Sequence, residues 1–180
     1  MKIGAIVLIL FSCVAFALSA YNLFNLYSHP LKFQDEITYY AKKHELSPAL
    51  ISSVINVESS FNENAKSHKN ALGLMQIKLN TANYMQELNK KQYLTEQDLF
   101  NPKTNIDLGC TYLKYLLKKF NDINTSLAAY NAGETIVRSW LNSGIYSTDG
   151  IILNYIPFKE TRNYVEKINK NIKFYAKIYK

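Results

Sequence analysis

Cysteine is nearly absent from this 180-residue chain: Cys13 lies in an apolar N-terminal run and Cys110 stands alone in the rest. No disulfide can therefore close within residues 28–180, and the fold must rest on a packed core in which Cys110 is a small apolar filler. Glycine and proline are scarce too, at six and four residues, which excludes collagen-like and Pro/Gly-rich disordered chains. Past residue 33 no stretch alternates apolar and polar side chains well enough to make a convincing strand, so the expected class is all-α. Internal repeats and low-complexity tracts are lacking. Histidines number three and do not pair with cysteine or acidic residues at ligand spacing; His44 reads as a helix-end residue, and neither metal nor organic cofactor is expected.

What is present begins with a leader. Lys2 supplies one positive charge, residues 3–17 are almost wholly apolar, and the small residues Ser19 and Ala20 follow. Apolar character resumes weakly at Tyr21, Leu23, Phe24 and Leu26. Residues 1–27 are thus expected to be an export signal or an uncleaved membrane anchor, with the remainder outside the cytosol, in the periplasm or cell envelope. Cys13 follows Leu10-Phe11-Ser12, a poor match to a lipid-attachment site because Phe stands where a small residue is needed. Residues 28–180 are long enough for one compact domain, and a monomer is expected.

The net charge of +7 favours an anionic partner, either nucleic acid, anionic lipid or a wall polymer. Its basic residues are scattered; the mild cluster of Lys167, Lys170, Lys173, Lys177 and Lys180 reads as a solvated helix face, and no nucleic-acid motif is present. Fourteen tyrosines are many for this length, and tyrosine rings both fill cores and stack on sugars.

Helical periodicity places a first helix over 33–44. A second starts at Pro48, with Ser47 as its cap, and ends near Ser59 or Ser60. A loop rich in Asn, Ser and Gly covers 61–74, and a short helix spans about 81–89. Asn101-Pro102 opens a central helix with Ile106, Cys110, Leu113, Leu116, Leu117 and Phe120 on its buried side. Thr125 is read as the cap of a helix that Gly133 ends, another covers 134–141, and 142–157 is a long loop of the kind that shapes a site. The last helix, 159–179, carries Thr161, Tyr164, Val165 and Ile168 on one stripe.

One residue breaks the pattern. Leu50, Ile51, Val54 and Ile55 form the apolar stripe of the second helix, and Glu58 falls four after Val54 and three after Ile55, hence on the core side. It also sits in the last turn, where the backbone dipole disfavours a carboxylate. Desolvation and dipole both raise its pKa. Such an acid is either paired with a cation or kept for chemistry, and a raised-pKa carboxylic acid suits protonation of a leaving oxygen in glycoside cleavage.

The residues around Glu58 resemble a known family. Val57-Glu58-Ser59-Ser60-Phe61-Asn62, Ser67 and Ala71-Leu72-Gly73-Leu74-Met75-Gln76-Ile77 look like the signature of the soluble lytic transglycosylase catalytic domain. Asn101-Pro102-Lys103-Thr104-Asn105-Ile106, Gly109, Tyr112-Leu113, Leu127-Ala128-Ala129-Tyr130-Asn131-Ala132-Gly133 and 157–165 continue the match in the same order. The resemblance implies a goose-type lysozyme-like α fold that cleaves the β-1,4 bond between N-acetylmuramic acid and N-acetylglucosamine of peptidoglycan without water, leaving a 1,6-anhydro sugar. Glu58 would serve as acid and then base. The substrate's acetamido group would stand in for the second carboxylate of ordinary glycosidases, which the sequence does not identify.

By the same resemblance Ser67 and Gln76 sit beside the acid, Met75 packs against the sugars, and Tyr130 bonds the Glu58 carboxyl with Asn131 donating nearby. Glu160 would reach substrate, or else serve only as a first-turn acid favoured by its helix dipole. Met75 could equally be a plain core residue, and the alternative for Tyr130 is a core position without that role. Glu63, Asn70, Leu79 and Glu134 depart from the family pattern; Asn70 replaces a glycine but tolerates a left-handed backbone. Two rival readings stay open: a hydrolytic muramidase of the same fold in which Asp98 or Asp107 activates water, and a wall-binding module that does not cut.

Overall fold

The computed structural model describes residues 2–179, and side chains throughout these except at 2, 3, 5–9, 21, 22 and 24–27. Contacts divide the chain into two units, Met1–Leu31 and Lys32–Lys180. The first is a helix, α1 (Lys2–Ser28), whose described apolar side chains, such as Phe11, Val14, Phe16 and Leu18, are exposed. Among the described residues no helix is long and apolar enough to cross a membrane. The charge of Lys2 and the side chains of Ile3, Tyr21, Phe24 and Leu26, on which the leader reading partly rests, lie outside the described residues.

The second unit is built of helices α2 (Gln34–His44), α3 (Pro48–Ser59), α4 (Leu79–Leu88), α5 (Pro102–Phe120), α6 (Ile123–Ala132), α7 (Glu134–Leu141) and α8 (Lys159–Tyr175). This is the all-α domain expected, with two additions. A short antiparallel hairpin pairs β1 (Ala71–Leu72) with β2 (Ile77–Lys78), Ala71 opposite Lys78, and a 3-10 turn covers Gln97–Phe100. Two-residue strands are too short to show alternation, so the sequence pattern could not reveal them.

The starts and stops follow local chemistry. Pro48 and Pro102 occupy first-turn positions where a missing N–H costs nothing, and Asn101 accepts the Thr104 N–H at 3.1 Å. Two capping expectations are corrected. Ser47 makes no side-chain cap bond, and the cap of α6 is Asp122, which accepts the Thr125 N–H at 2.7 Å, so the helix begins before Thr125. The last helix ends at Tyr175, short of 179, in a looser turn.

The buried apolar residues form one core cluster. Helix α3 packs against α8 and α2, burying Leu50, Ile51, Val54 and Ile55; α5 packs against α2, α4 and α6, burying Ile106, Cys110, Leu113, Leu116 and Phe120. Leu117, expected on that face, is half-buried. Burial pushes the Cys110 thiol far up, which keeps it an inert filler. Polar ties fix the α3–α8 pair as antiparallel: Ser52 Oγ donates to Tyr179 Oη at 3.0 Å and Asn56 Nδ2 to Tyr175 Oη at 2.9 Å. Lys167, Lys170, Lys173 and Lys177 line the exposed side of this C-terminal stretch, the solvated face expected; Lys180 lies outside the described residues.

A fully buried asparagine of α5 ties the hairpin segment and the 3-10 turn to the core. From α5, Asn105 Nδ2 donates to the carbonyls of Leu72 (2.8 Å) and Leu99 (2.7 Å), while its Oδ1 accepts the Met75 N–H at 2.7 Å. Gly73, at φ +71°, approaches this amide so closely that a Cβ would collide with it and with the Leu99 carbonyl. Removing the amide would strand three buried backbone groups, each costing roughly 1–3 kcal/mol. Asn105→Ala is therefore expected to lower the unfolding free energy by about 3 kcal/mol or more, measured as the midpoint shift in urea denaturation; a shift under about 1 kcal/mol would refute this accounting.

Candidate active site

Helix α3 delivers Glu58 and then stops abruptly. Ser60 and Phe61 both take left-handed backbone, φ 50° and 61°, and the Ser60 N–H returns to the Asn56 carbonyl at 3.0 Å. Ser59 Oγ donates to the Leu74 carbonyl at 2.8 Å, tying the helix end to the segment that follows β1. Ser67 Oγ accepts the Ala71 N–H at 3.0 Å, and Asn70 adopts the left-handed conformation expected of it, φ 56°. Gln76, also left-handed, donates its amide to the carbonyls of Ala65 (3.1 Å) and Gly73 (2.9 Å). The loop is thus held by its own side chains against the end of α3.

Together these elements enclose a cleft of about 410 Å3. Glu58, Ser67, Gln76, Tyr130, Asn131 and Glu160 all line it. Met75 does not. Its side chain is fully buried, packed so tightly on Gly109 of α5 that a Cβ there would overlap its sulfur, and the expectation that Met75 meets sugars gives way to the core reading.

The carboxyl of Glu58 is desolvated, and burial is the dominant cause that raises its pKa to about 7; a hydrogen bond from Tyr164 Oη to Oε1, 2.7 Å, acts in the opposite direction. No cation pairs with it among the described residues, and no basic residue lies in the last turn of α3. The alternative of a structural ion pair is thereby removed.

The phenol that holds the carboxyl is a correction to the sequence reading. Tyr130, expected in that role, donates instead to the Met75 carbonyl at 2.9 Å, and Tyr164 of α8 takes the acid. Both phenols are buried, and burial first, then the nearby Glu58 charge, holds their pKa values far up, so each remains a neutral donor. Tyr164 was visible as an apolar-stripe position and as part of the 157–165 family match, without a role assigned to it; nothing local in sequence connects residues 58 and 164. Asn131 lies beside Tyr130 and accepts from Thr161 Oγ1 at 2.8 Å, which joins α6 to α8. Glu160 stands exposed in the first turn of α8 at the rim of the cleft. His68, Lys69, Lys78, Thr81 and Tyr112 complete much of the lining without having been singled out as site residues.

The acids proposed for a water-activating role are elsewhere. Asp98 accepts from the Thr95 N–H and Oγ1 at 2.8 and 2.7 Å, and Asp107 pairs with Lys43 at 2.7 Å and His44 at 2.5 Å. Neither lines the Glu58 cleft. No group of residues suited to hold a metal ion occurs among the described residues.

Residues 35–147 match the family model described as the transglycosylase SLT domain. The chain belongs to this family. Among its SLT relatives, the soluble lytic murein transglycosylase of Salmonella typhimurium is 35% identical over 142 residues, covering 77% of this chain and 22% of that protein. The membrane-bound lytic murein transglycosylase E of Buchnera aphidicola is 46% identical over 93 residues, 51% of this chain and 42% of its own length. The 70 kDa soluble lytic transglycosylase of Escherichia coli superposes with a TM-score of 0.73 at 31% identity, covering 83% of this chain and 25% of that one. An inactive Glu-to-Gln mutant of the Pseudomonas aeruginosa lytic transglycosylase Slt gives 0.72 at 30% identity, over 83% and 24%. The chain thus spans about a quarter of the length of the solved SLT proteins it matches.

The raised pKa of Glu58 makes stability depend on pH with a definite sign. The folded chain binds this proton more tightly than the unfolded one, whose carboxyl has its ordinary value of 4.5. The burial penalty is absent below pH 4.5, grows up to pH 7 and then levels at roughly 3 kcal/mol. Glu58→Gln should therefore gain stability relative to the unchanged chain between pH 4 and pH 8 by about that amount, read from denaturation midpoints. An equal difference at both pH values would mean that Glu58 titrates like a surface residue.

Proposed function

We propose that this chain is a peptidoglycan lytic transglycosylase acting on glycan strands, with Glu58 as the single catalytic acid and base. The observation that carries the reading is a lone carboxyl on the cleft side of α3, desolvated to a pKa of about 7, unpaired by any cation among the described residues and held by a neutral phenol. Membership of the SLT family supports it, as do relatives whose names are lytic murein transglycosylases.

In the first step the protonated Glu58 gives its proton to the glycosidic oxygen as the bond from the muramic C1 breaks. The acetamido group of the same sugar supports the electron-poor C1. In the second step the Glu58 carboxylate takes the proton of the C6 hydroxyl as O6 bonds to C1. The proton is thereby restored, no water is consumed, and a 1,6-anhydro end results. Tyr164 lowers the cost of the carboxylate formed between the two steps, since its hydroxyl donates to Oε1. Ser67, Gln76, Tyr130 and Asn131 shape the cleft around the acid, with Glu160 meeting substrate at the rim.

Among the described residues the one other carboxylate lining the cleft is Glu160, exposed in the first turn of α8, and Asp98 and Asp107 are committed elsewhere. That favours the intramolecular route over hydrolysis. We further infer that residues 1–27 export the chain to the cell envelope, as signal or anchor, supported by their apolar composition. A cleft lined by residues of one chain supports the reading of a monomer.

Mass spectrometry of fragments released from purified sacculi tests the reaction. Products lighter by one water than reducing-end fragments are expected, and reducing ends would convert the assignment to a muramidase. Glu58→Gln should lower release by about 10²-fold or more. Equal release by Glu58→Gln and the unchanged chain would leave only a binding module. Rate should fall as pH rises through about 7, where Glu58 loses its proton. Tyr164→Phe, which removes the bond that lowers that pKa, should move this alkaline limb upward.

A further inference from the structure

Three tyrosine rings stand in a row beside the cleft. Tyr130 of α6 packs against Tyr112 of α5 with ring centroids 5.2 Å apart and tilted by 43°, and Tyr112 stacks on Tyr115, one turn further along α5, at 6.3 Å and 17°. Tyr112 and Tyr130 line the cleft, whereas Tyr115 does not. The two outer phenols are tied down, Tyr130 to the Met75 carbonyl at 2.9 Å and Tyr115 to the Glu134 carboxylate at 3.0 Å. The middle hydroxyl, that of Tyr112, forms no hydrogen bond among the described residues. Burial first, then the Glu134 charge, pushes its pKa up to about 12, so it stays a neutral donor at the cleft wall.

The tie on Tyr115 is a closed group of charges. Lys119 Nζ donates to Tyr115 Oη and to Glu134 Oε1, each at 2.6 Å, Tyr115 Oη donates to Glu134 Oε2, and Arg138 Nε donates to Glu134 Oε1 at 2.8 Å. The Lys119 ammonium lies 4.8 Å from the centroid of the Tyr115 ring, and Tyr84 of α4 meets that ring edge-on at 6.2 Å. Glu134 stands in the first turn of α7, where the helix dipole favours a carboxylate. Burial opposes its ionisation, yet bonds from Lys119, Arg138 and Tyr115 hold its pKa below the ordinary value. Helices α5 and α7 thus grip one half-buried ring by its hydroxyl and its face. A neighbour held in this way limits how far Tyr112 can tilt or slide, since the other face of Tyr112 rests on Tyr130. Because Glu134 departs from the family pattern, the tie is a feature of this chain and is not carried over from that pattern.

We propose that Tyr115 and Glu134 are positioning residues that hold Tyr112 as a fixed wall and hydrogen-bond donor for the glycan bound beside Glu58. This rests on the lytic reading given above. Neither residue lines the cleft, so both act through Tyr112, whose immobile ring reduces the entropy lost when a sugar seats on it. The tie serves binding and not proton transfer. Its loss therefore weakens KM and spares kcat.

Kinetics on purified glycan strands test this. Tyr115→Phe keeps the stacked ring and removes its hydroxyl, while Glu134→Gln keeps an acceptor oxygen and removes the charge. Each should raise KM about fivefold, the size of one lost hydrogen bond, with kcat unchanged. The decisive comparison is made in a Tyr112→Leu background, where an apolar side chain fills the space between the outer rings. There Tyr115→Phe should have no further effect, because the residue it positions is gone. Glu45→Gln, which removes an ion pair with Lys114 on the same helix, should change neither KM nor kcat. The same cycle, read in a Glu58→Gln background as dissociation constants of a bare tetrasaccharide of alternating N-acetylglucosamine and N-acetylmuramic acid, should give the same factors. The proposal is overturned if Tyr115→Phe leaves KM and Kd unchanged, if its effect persists beside Tyr112→Leu, if kcat falls as much as KM rises, or if Glu45→Gln matches it. Should the unchanged chain cut no strand, the lytic reading fails, and the binding cycle still decides the role of Tyr115 by itself.

Discussion

The structure is organised around keeping one carboxyl group out of water at the wrong end of a helix. Glu58 meets the negative pole of α3 and a dry surrounding, both of which favour its neutral form. Among the described residues no cation relieves it and Tyr164 donates to it. The cost is tolerable because the rest of α3 is rich in buried apolar side chains and is clasped along its length by α8. A less well packed helix would fray at its last turn and return the acid to solvent.

Support for that carboxyl comes from two directions that converge on one loop. From beneath, Asn105 fixes the backbone of Leu72 and Met75; from above, Ser59 holds Leu74. Tyr130 closes the remaining carbonyl, that of Met75. The segment 71–76 is therefore held at four successive residues, if the Gly73 bond to Gln76 is included, by helices α3, α5 and α6 and by its own amide. The departures from the family pattern at Glu63, Leu79 and Glu134 fall outside this segment. Glu134 in fact finds its own place, bound by Lys119 at 2.6 Å and Arg138 at 2.8 Å.

Much of this was legible in the sequence because helices announce themselves locally. The 3.6-residue stripe located α3 and α5, Pro48 and Pro102 marked their starts, and the clash of Glu58 with its stripe singled out the acid. What escaped was non-local. Tyr130 and Tyr164 both lie near the acid, and choosing between them required knowing how α6 and α8 cross α3. Met75 looked like a cleft residue by analogy, yet the absence of a Cβ at Gly109 lets it sink into α5. Asp122 displaced Thr125 as a cap because either spacing fits a helix start, and only the chain's path chooses. The hairpin has too few residues to leave a periodic trace.

The bond between Tyr164 and Glu58 joins residues 106 positions apart. Before the chain closes on itself, that carboxyl is an ordinary acid in water with a pKa of 4.5, and burial in the folded domain raises it to about 7 although the Tyr164 bond acts in the opposite direction. An unfolded chain thus carries an ionised carboxylate at this position at neutral pH. The raised pKa of Glu58 is a property of the finished topology, set by burial that no local stretch of sequence supplies.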